Sequence, residues 1–231
     1  MRFDAIVFDF GNTLAPWTDA QGERLYRAIA RAVADHVGAP IPDFEARAHA
    51  TRAALVFHRE KTTMRELTVE EVCDAFFDGD TPAGLPGAVT RAIHDTFVEL
   101  CRVPPHVPRT LERLARGRPL AVLSNFMLTS PVEAVLERDG VTDHLVHVEV
   151  SATRGWMKPH PEPFEIVRER LGTPMERTLM VGDNFWCDIV GGNRAGFLTA
   201  LTREYVDAPD SHPEAPDVRA DLVLERLDEL R

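Results

Sequence analysis

The first apolar run, Ala5-Ile6-Val7-Phe8, closes on Asp9 and a turn-forming stretch, Phe10-Gly11-Asn12-Thr13. Short, uninterrupted and bounded by turn residues, it predicts a buried strand that delivers one carboxylate at its C-terminal end. The pattern then changes period. Leu25, Ile29, Val33 and Val37 recur at i, i+4 and predict one apolar face of a helix, ended by Gly38, Pro40 and Pro42. A second helix is expected from Asp43 to about Thr62, with Phe44, Ala48, Leu55 and Val56 as its apolar members. Thr68 and Glu71 have capping-box spacing ahead of a third helix carrying Val69, Val72 and Phe76. Asp78–Gly87 reads as a loop, and Val89, Ile93, Phe97 and Leu100 mark a fourth helix.

From Val103-Pro104-Pro105 onward, short apolar runs alternate with helical patterns. A helix through Leu111 and Leu114 stops at Gly117, and Leu120–Leu123 is a buried strand ending in Ser124-Asn125. Ser130, Pro131 and Glu133 predict a capping box with proline at the first helical position. His144–Val150 alternates as a strand and leads to a loop containing Lys158. A helix follows over Phe164–Leu171, then a strand over Thr178–Val181 ending in Gly182-Asp183. Asp188–Ala195 reads as helical, Phe197–Leu201 and Ala220–Leu224 as strands, and 203–219 as a surface loop.

Strands alternating with helices predict an α/β fold, a Rossmann-like parallel sheet with helices on both faces. The first strand is cut off from the rest by helices alone, so the expected organisation is a core of residues 1–17 and 103–231 with an all-α insertion at 18–102. Composition adds limits. The 231 residues carry a net charge of −11, which argues against a nucleic-acid-binding face. No apolar run approaches the ~18–20 residues that span a membrane, and the N-terminus lacks the pattern of a secretory signal. Three cysteines, Cys73, Cys101 and Cys187, show no CxxC pairing, and a reducing, cytoplasmic setting is expected.

The chemistry lies at strand ends. Asp9, Ser124-Asn125, Lys158, and Asp183 with Asp188 each follow a strand or lie in the loop beyond one. A parallel sheet puts all strand C-termini on one edge, so these positions can converge. An acidic chain that handles an anion needs a local positive device such as a metal ion or a lysine, and Lys158 and Lys61 are its only lysines.

These residues resemble the motifs of the haloacid dehalogenase-like (HAD) hydrolase superfamily: Asp9-Phe10-Gly11-Asn12-Thr13, then Leu123-Ser124-Asn125, Lys158-Pro159, and Gly182-Asp183 with Asp188. The resemblance runs over nearly the whole chain, with 18–102 similar to the family's helical cap. It implies a hydrolase, and most simply a phosphatase acting on a small phosphorylated molecule. Asp9 would be the nucleophile. Mg²⁺ would be held by Asp9, Asp183 and the backbone carbonyl of Gly11, with Asp188 either a ligand or the group that orients Lys158 or a metal-bound water. Lys158, Ser124, Asn125 and Thr13 would hold phosphoryl oxygens.

One position departs from the family pattern. Phosphatases of the family usually carry a second Asp two residues after the nucleophile, to protonate the leaving group and then activate water. Here that position is Gly11. General acid–base help is worth roughly 10²–10⁴ in rate. A phosphatase without it would favour good leaving groups or recruit another acid, for which Asp19 and His58 are candidates. Dehalogenases of the family also lack the second Asp, since halide needs no proton, but they generally lack the equivalent of Asp183. A phosphate-binding or regulatory protein on the same scaffold is the third alternative. In the insertion, the Asp78–Gly87 loop and the stretch His58–Arg65, with Arg59, Lys61 and Arg65, are the expected specificity elements.

Overall fold

The computed structural model describes residues 2–231, and the side chains of residues 56–62 lie outside that description. Six strands form one parallel sheet: β1 (Ala5–Phe8), β2 (Leu120–Ser124), β3 (His147–Val150), β4 (Thr178–Gly182), β5 (Leu198–Thr202) and β6 (Leu222–Leu224). Their spatial order is β3-β2-β1-β4-β5-β6, so β1 sits between β2 and β4. The chain winds outward from β1 through β2 to β3, then returns to the other side of β1 at β4. The crevice at this reversal is where open parallel sheets bind ligands.

Side-chain alternation builds two layers. Ile6 and Phe8 of β1, with Leu120, Val122, Leu179 and Val181, face a cluster completed by Val107, Leu111 and Leu114 of α5 (His106–Ala115) and by Val132, Val135 and Leu136 of α6 (Thr129–Arg138). Ala5, Val7, Ala121, Leu123 and Met180 point the other way, onto Phe164, Val167 and Leu171 of α8 (Pro161–Leu171), the helix after the single turn α7 (Ser151–Arg154). With both faces covered, β1 and β2 are apolar at every position up to their polar ends, and β4 is apolar between Thr178 and Gly182.

Between β1 and α5 lie α1 (Asp19–Val37), α2 (Phe44–Thr62), α3 (Val69–Phe76) and α4 (Leu85–Leu100). They share an apolar cluster that includes Val33, Phe44, Val69, Phe76, Leu85, Val89 and Ile93. The Thr68/Glu71 capping box forms as expected, and Thr18 with Gln21 makes a second one at the start of α1. The helical block is tied to the sheet domain at residues 64–66. Met157 N–H donates to Met64 C=O at 2.9 Å and Glu66 N–H to Gly155 C=O at 3.0 Å. Ser151 Oγ–H donates to the Glu66 carboxylate, and the Arg65 guanidinium lies 4.5 Å from the centre of the Trp156 ring.

Several boundaries differ from the sequence expectation. Helix α4 starts at Leu85, inside the predicted loop, because Pro86 is compatible with a first turn whose N–H groups have no helical acceptor. Prolines 161 and 163 likewise extend α8 upstream of Phe164. The Ser130 capping box does not form. Helix α6 begins at Thr129, its N-cap is Leu128, and Ser130 is an exposed residue of the first turn. The predicted strand from His144 shrinks to His147–Val150, because Thr142–His144 closes a 3₁₀ turn. The predicted Asp188–Ala195 helix starts at Phe185 as a π-helical turn (Phe185–Val190) running into α9 (Gly191–Arg194).

Candidate active site

Asp9 leaves β1 directly, and its N–H donates to Val181 C=O of the neighbouring strand at 2.8 Å. The chain then folds into a tight loop. Asn12 adopts a left-handed conformation (φ 53°) that Asn tolerates, its N–H donates to Ala15 C=O at 2.7 Å, and its Oδ1 accepts from Trp17 N–H at 2.8 Å. This loop holds the Gly11 backbone in the wall of the site.

Lys158 is the centre of the polar network. Its Nζ donates to Asp9 Oδ1, Asp188 Oδ1 and Leu123 C=O, each at 2.7 Å, and its side chain is 1% exposed. All three ammonium protons are thus engaged. Burial works against the charge, but the Asp188 and Asp9 carboxylates outweigh it and hold the ammonium above the ordinary lysine range. Asp188 is fully buried, and its second oxygen accepts from Asn184 N–H at 3.0 Å. Gly182 makes room for it. A Cβ at position 182 would lie 2.1 Å from Asp188 Oδ2 and 2.6 Å from its Cβ, so the Gly-Asp pair serves close approach as well as strand termination.

Asp183, at the end of β4, brings a third carboxylate. Oxygens of Asp9, Asp183 and Asp188 all lie within 4.8 Å of one another. Desolvation, followed by the charges of Asp9 and Asp188, pushes the Asp183 carboxyl up to about 8. Desolvation is also the leading cause that moves Asp188 up to about 6, against the pull of Lys158. Three carboxyl groups share one ammonium, so their full ionisation leaves two negative charges with no counterion in the cluster. A hard divalent cation with oxygen ligands fits that imbalance.

The structure redistributes the predicted site residues. Asp9, Gly11, Ser124, Asn125, Lys158, Asp183 and Asp188 line one cavity of about 460 Å³. The Asn125 amide is engaged with the backbone of Lys158. Its Nδ2 donates to Lys158 C=O at 2.9 Å, its Oδ1 accepts from Lys158 N–H at 2.8 Å, and the other Nδ2 proton faces Cys187 Sγ at 3.8 Å. Both ends of the amide are spent on holding the lysine. Thr13 is fully buried outside the cavity wall, and its Oγ1 has no hydrogen-bond partner among the described residues. Asp19 is an exposed first-turn residue of α1, away from the cavity. Arg65 is occupied on Trp156, and none of residues 78–87 lines the cavity. The side chains of His58, Arg59 and Lys61 lie outside the described residues.

The cavity also holds residues that sequence pattern had not marked. Trp17 stacks on Phe97 at 4.9 Å, and Phe97 meets Phe126 at 4.6 Å. Leu25, Ile29 and Val72, which read as ordinary core positions of their helices, face the cavity as well.

A model of the haloacid dehalogenase-like hydrolases matches residues 3–196, and the chain belongs to this family. It is 31% identical over 156 residues to glyceraldehyde 3-phosphate phosphatase of Methanopyrus kandleri, covering 66% of each chain. It is 40% identical over 108 residues to pyrophosphatase PpaX of Oceanobacillus iheyensis, covering 46% of this chain and 48% of the relative. The matches thus span about half to two thirds of these relatives. The fold superposes on 2-haloacid dehalogenase from Pseudomonas syringae with a TM-score of 0.72 at 22% identity, covering 99% of this chain and 96% of the other. It superposes on the Bacillus subtilis HAD-hydrolase YfnB, bound to magnesium, with a TM-score of 0.69 at 21% identity, covering 100% and 97%.

Proposed function

We propose that the protein is a Mg²⁺-dependent phosphatase of a small phosphorylated molecule, with Asp9 as the nucleophile. The observation that carries this reading is the cluster of Asp9, Asp183 and Asp188 around a single ammonium. Asp9, Asp183 and the Gly11 carbonyl would hold the ion. When bound, Mg²⁺ supplies the charge compensation that lets a phosphate dianion approach a carboxylate. The phosphatase names of the sequence relatives support the same reading.

An oxygen of Asp9 forms the new bond to phosphorus as the ester oxygen departs. Lys158 fixes the orientation of Asp9 through Oδ1 and supplies positive charge beside the transferring group, and Asp188 holds the lysine in that position. The Ser124 hydroxyl, at the end of β2 in the cavity wall, would donate to a phosphoryl oxygen. Water then cleaves the aspartyl phosphate and restores the carboxylate. With glycine at position 11, the ester oxygen leaves without a proton from that position. The helices of the 18–102 segment form the cap over the site, and Asn125 positions Lys158.

The test is phosphate release from p-nitrophenyl phosphate and acetyl phosphate, with Mg²⁺ and with chelator, alongside halide release from 2-chloropropionate. Mg²⁺-dependent phosphate release without halide release is expected. No phosphate release from either compound across pH 5–9 contradicts the reading.

A further inference from the structure

Resting on the phosphatase reading, we infer that the substrate is an aryl phosphate monoester, with its ring in the apolar part of the cavity and its phosphate at Asp9. Two independent features point there. The first is the wall of the cavity. The catalytic carboxylates do not open onto a polar cleft. The same cavity continues past Phe10, Trp17, Phe97 and Phe126 into the space between the helices, where Leu25 and Ile29 lie. Arg52 is the one charged side chain that the described residues of the helical block contribute to this wall. Arg52 and Tyr26 are the polar side chains the helical block brings to this wall, and a sugar phosphate has more hydroxyls than these two can pair, at roughly 1–3 kcal/mol for each buried polar group left without a partner. A ring instead meets aromatic faces, and 460 Å³ is ample for one or two fused rings.

The second feature is Gly11. A phenolic oxygen departs as a stabilised anion and needs no acid, whereas an alkoxide does. The glycine is not there for steric reasons, because a Cβ at position 11 would meet nothing within 4 Å. The site is therefore matched to the leaving group that the apolar chamber accepts. In the first step the Asp9 oxygen bonds to phosphorus and the phosphorus–aryl oxygen bond breaks. The aryloxide keeps the bonding pair and takes a proton from solvent. In the second step water attacks the aspartyl phosphate, yielding inorganic phosphate, the free carboxylate and a proton released to solvent.

The test is kcat/KM in Mg²⁺ for 1-naphthyl, phenyl, benzyl and glycerol 1-phosphates. Phenyl and naphthyl phosphates differ in apolar surface at similar leaving-group quality, and a naphthyl advantage of roughly tenfold is expected from the added carbons. Benzyl phosphate fills the chamber but leaves as an alkoxide, and it should lag phenyl phosphate by roughly 100-fold. Ile29→Asn and Val72→Asn should each erode the naphthyl-to-phenyl ratio. Hydrolysis of glycerol 1-phosphate within threefold of the naphthyl ester overturns this inference and leaves the phosphatase reading standing. Release of phosphate from none of the four overturns this inference, and overturns the phosphatase reading with it only where p-nitrophenyl and acetyl phosphates are inert as well.

Discussion

Asn125 clamps Lys158 by its own peptide, donating to the lysine carbonyl and accepting from the lysine N–H at 2.9 and 2.8 Å. The two residues are 33 apart in sequence, and the contact fixes where the Lys158 side chain enters the carboxylate cluster. Asn125→Ala removes both bonds. Stability should fall by about 1–3 kcal/mol, the sum expected for two such hydrogen bonds. If Asn125 positions rather than binds, kcat should fall while KM for acetyl phosphate moves less than about threefold, since no ground-state contact with the substrate is lost. A rise in KM at unchanged kcat would return Asn125 to phosphate binding. Steady-state kinetics and thermal melts check both parts.

Gly11 carries the second prediction. The open space around it means that Gly11→Asp should fold like the parent chain. Turnover of alkyl phosphates should rise by roughly 10- to 100-fold, within the range of general-acid help, and turnover of aryl phosphates much less. Equal gains on both classes would show that leaving-group protonation is not what the site lacks.

Gly182→Ala should do the opposite. The new methyl would sit on the Asp188 carboxylate, displacing it from Asn184 N–H and Lys158. Overpacking of this kind costs about 1–3 kcal/mol, and activity should be lost with it. A melt within about 0.5 kcal/mol of the parent, the usual range for surface substitutions, would show that the close approach is not tight.

Metal and pH should be linked through Asp183. Its carboxyl titrates at about 8 in the folded metal-free chain against 3.8 for an unperturbed group, so the folded state holds the extra proton between those values. Stability of the metal-free protein should therefore fall as pH rises through that window, with Asp188 adding to the trend up to about 6. Saturating Mg²⁺ should flatten this slope, because the ion takes the place of the proton. Asp183→Asn should raise the metal-free melting temperature near pH 8 and abolish the stabilisation by Mg²⁺. Melts with Mg²⁺ and with chelator across pH 5–9 read all of these.

The sheet and the strand-end chemistry were legible because they are local. A buried run ending in Asp9, Ser124 or Gly182-Asp183 places its polar residue at the sheet edge whatever the rest of the chain does. What escaped the pattern depends on partners distant in sequence. Helical periodicity marks Leu25, Ile29 and Val72 as apolar positions, but it does not reveal whether the opposite wall is another side chain or a cavity. Asn125 follows Ser124 and reads as a phosphate ligand, and its hydrogen bonds to the Lys158 backbone across the site are not visible in the local pattern. The Ser130 motif has the right spacing for a cap, yet the helix begins two residues before Pro131, at Thr129.

Covalent trapping tests the central claim most directly. Without an acid–base group at position 11, hydrolysis of the aspartyl phosphate should be the slow step for a good leaving group, so the intermediate should accumulate. The protein is mixed with acetyl phosphate and Mg²⁺, quenched in acid and mapped by peptide mass spectrometry. The account predicts one added phosphoryl group on the peptide containing Asp9, absent with chelator and absent in Asp9→Asn. Undiminished phosphate release by Asp9→Asn, or a phosphoryl group on another residue, would contradict it.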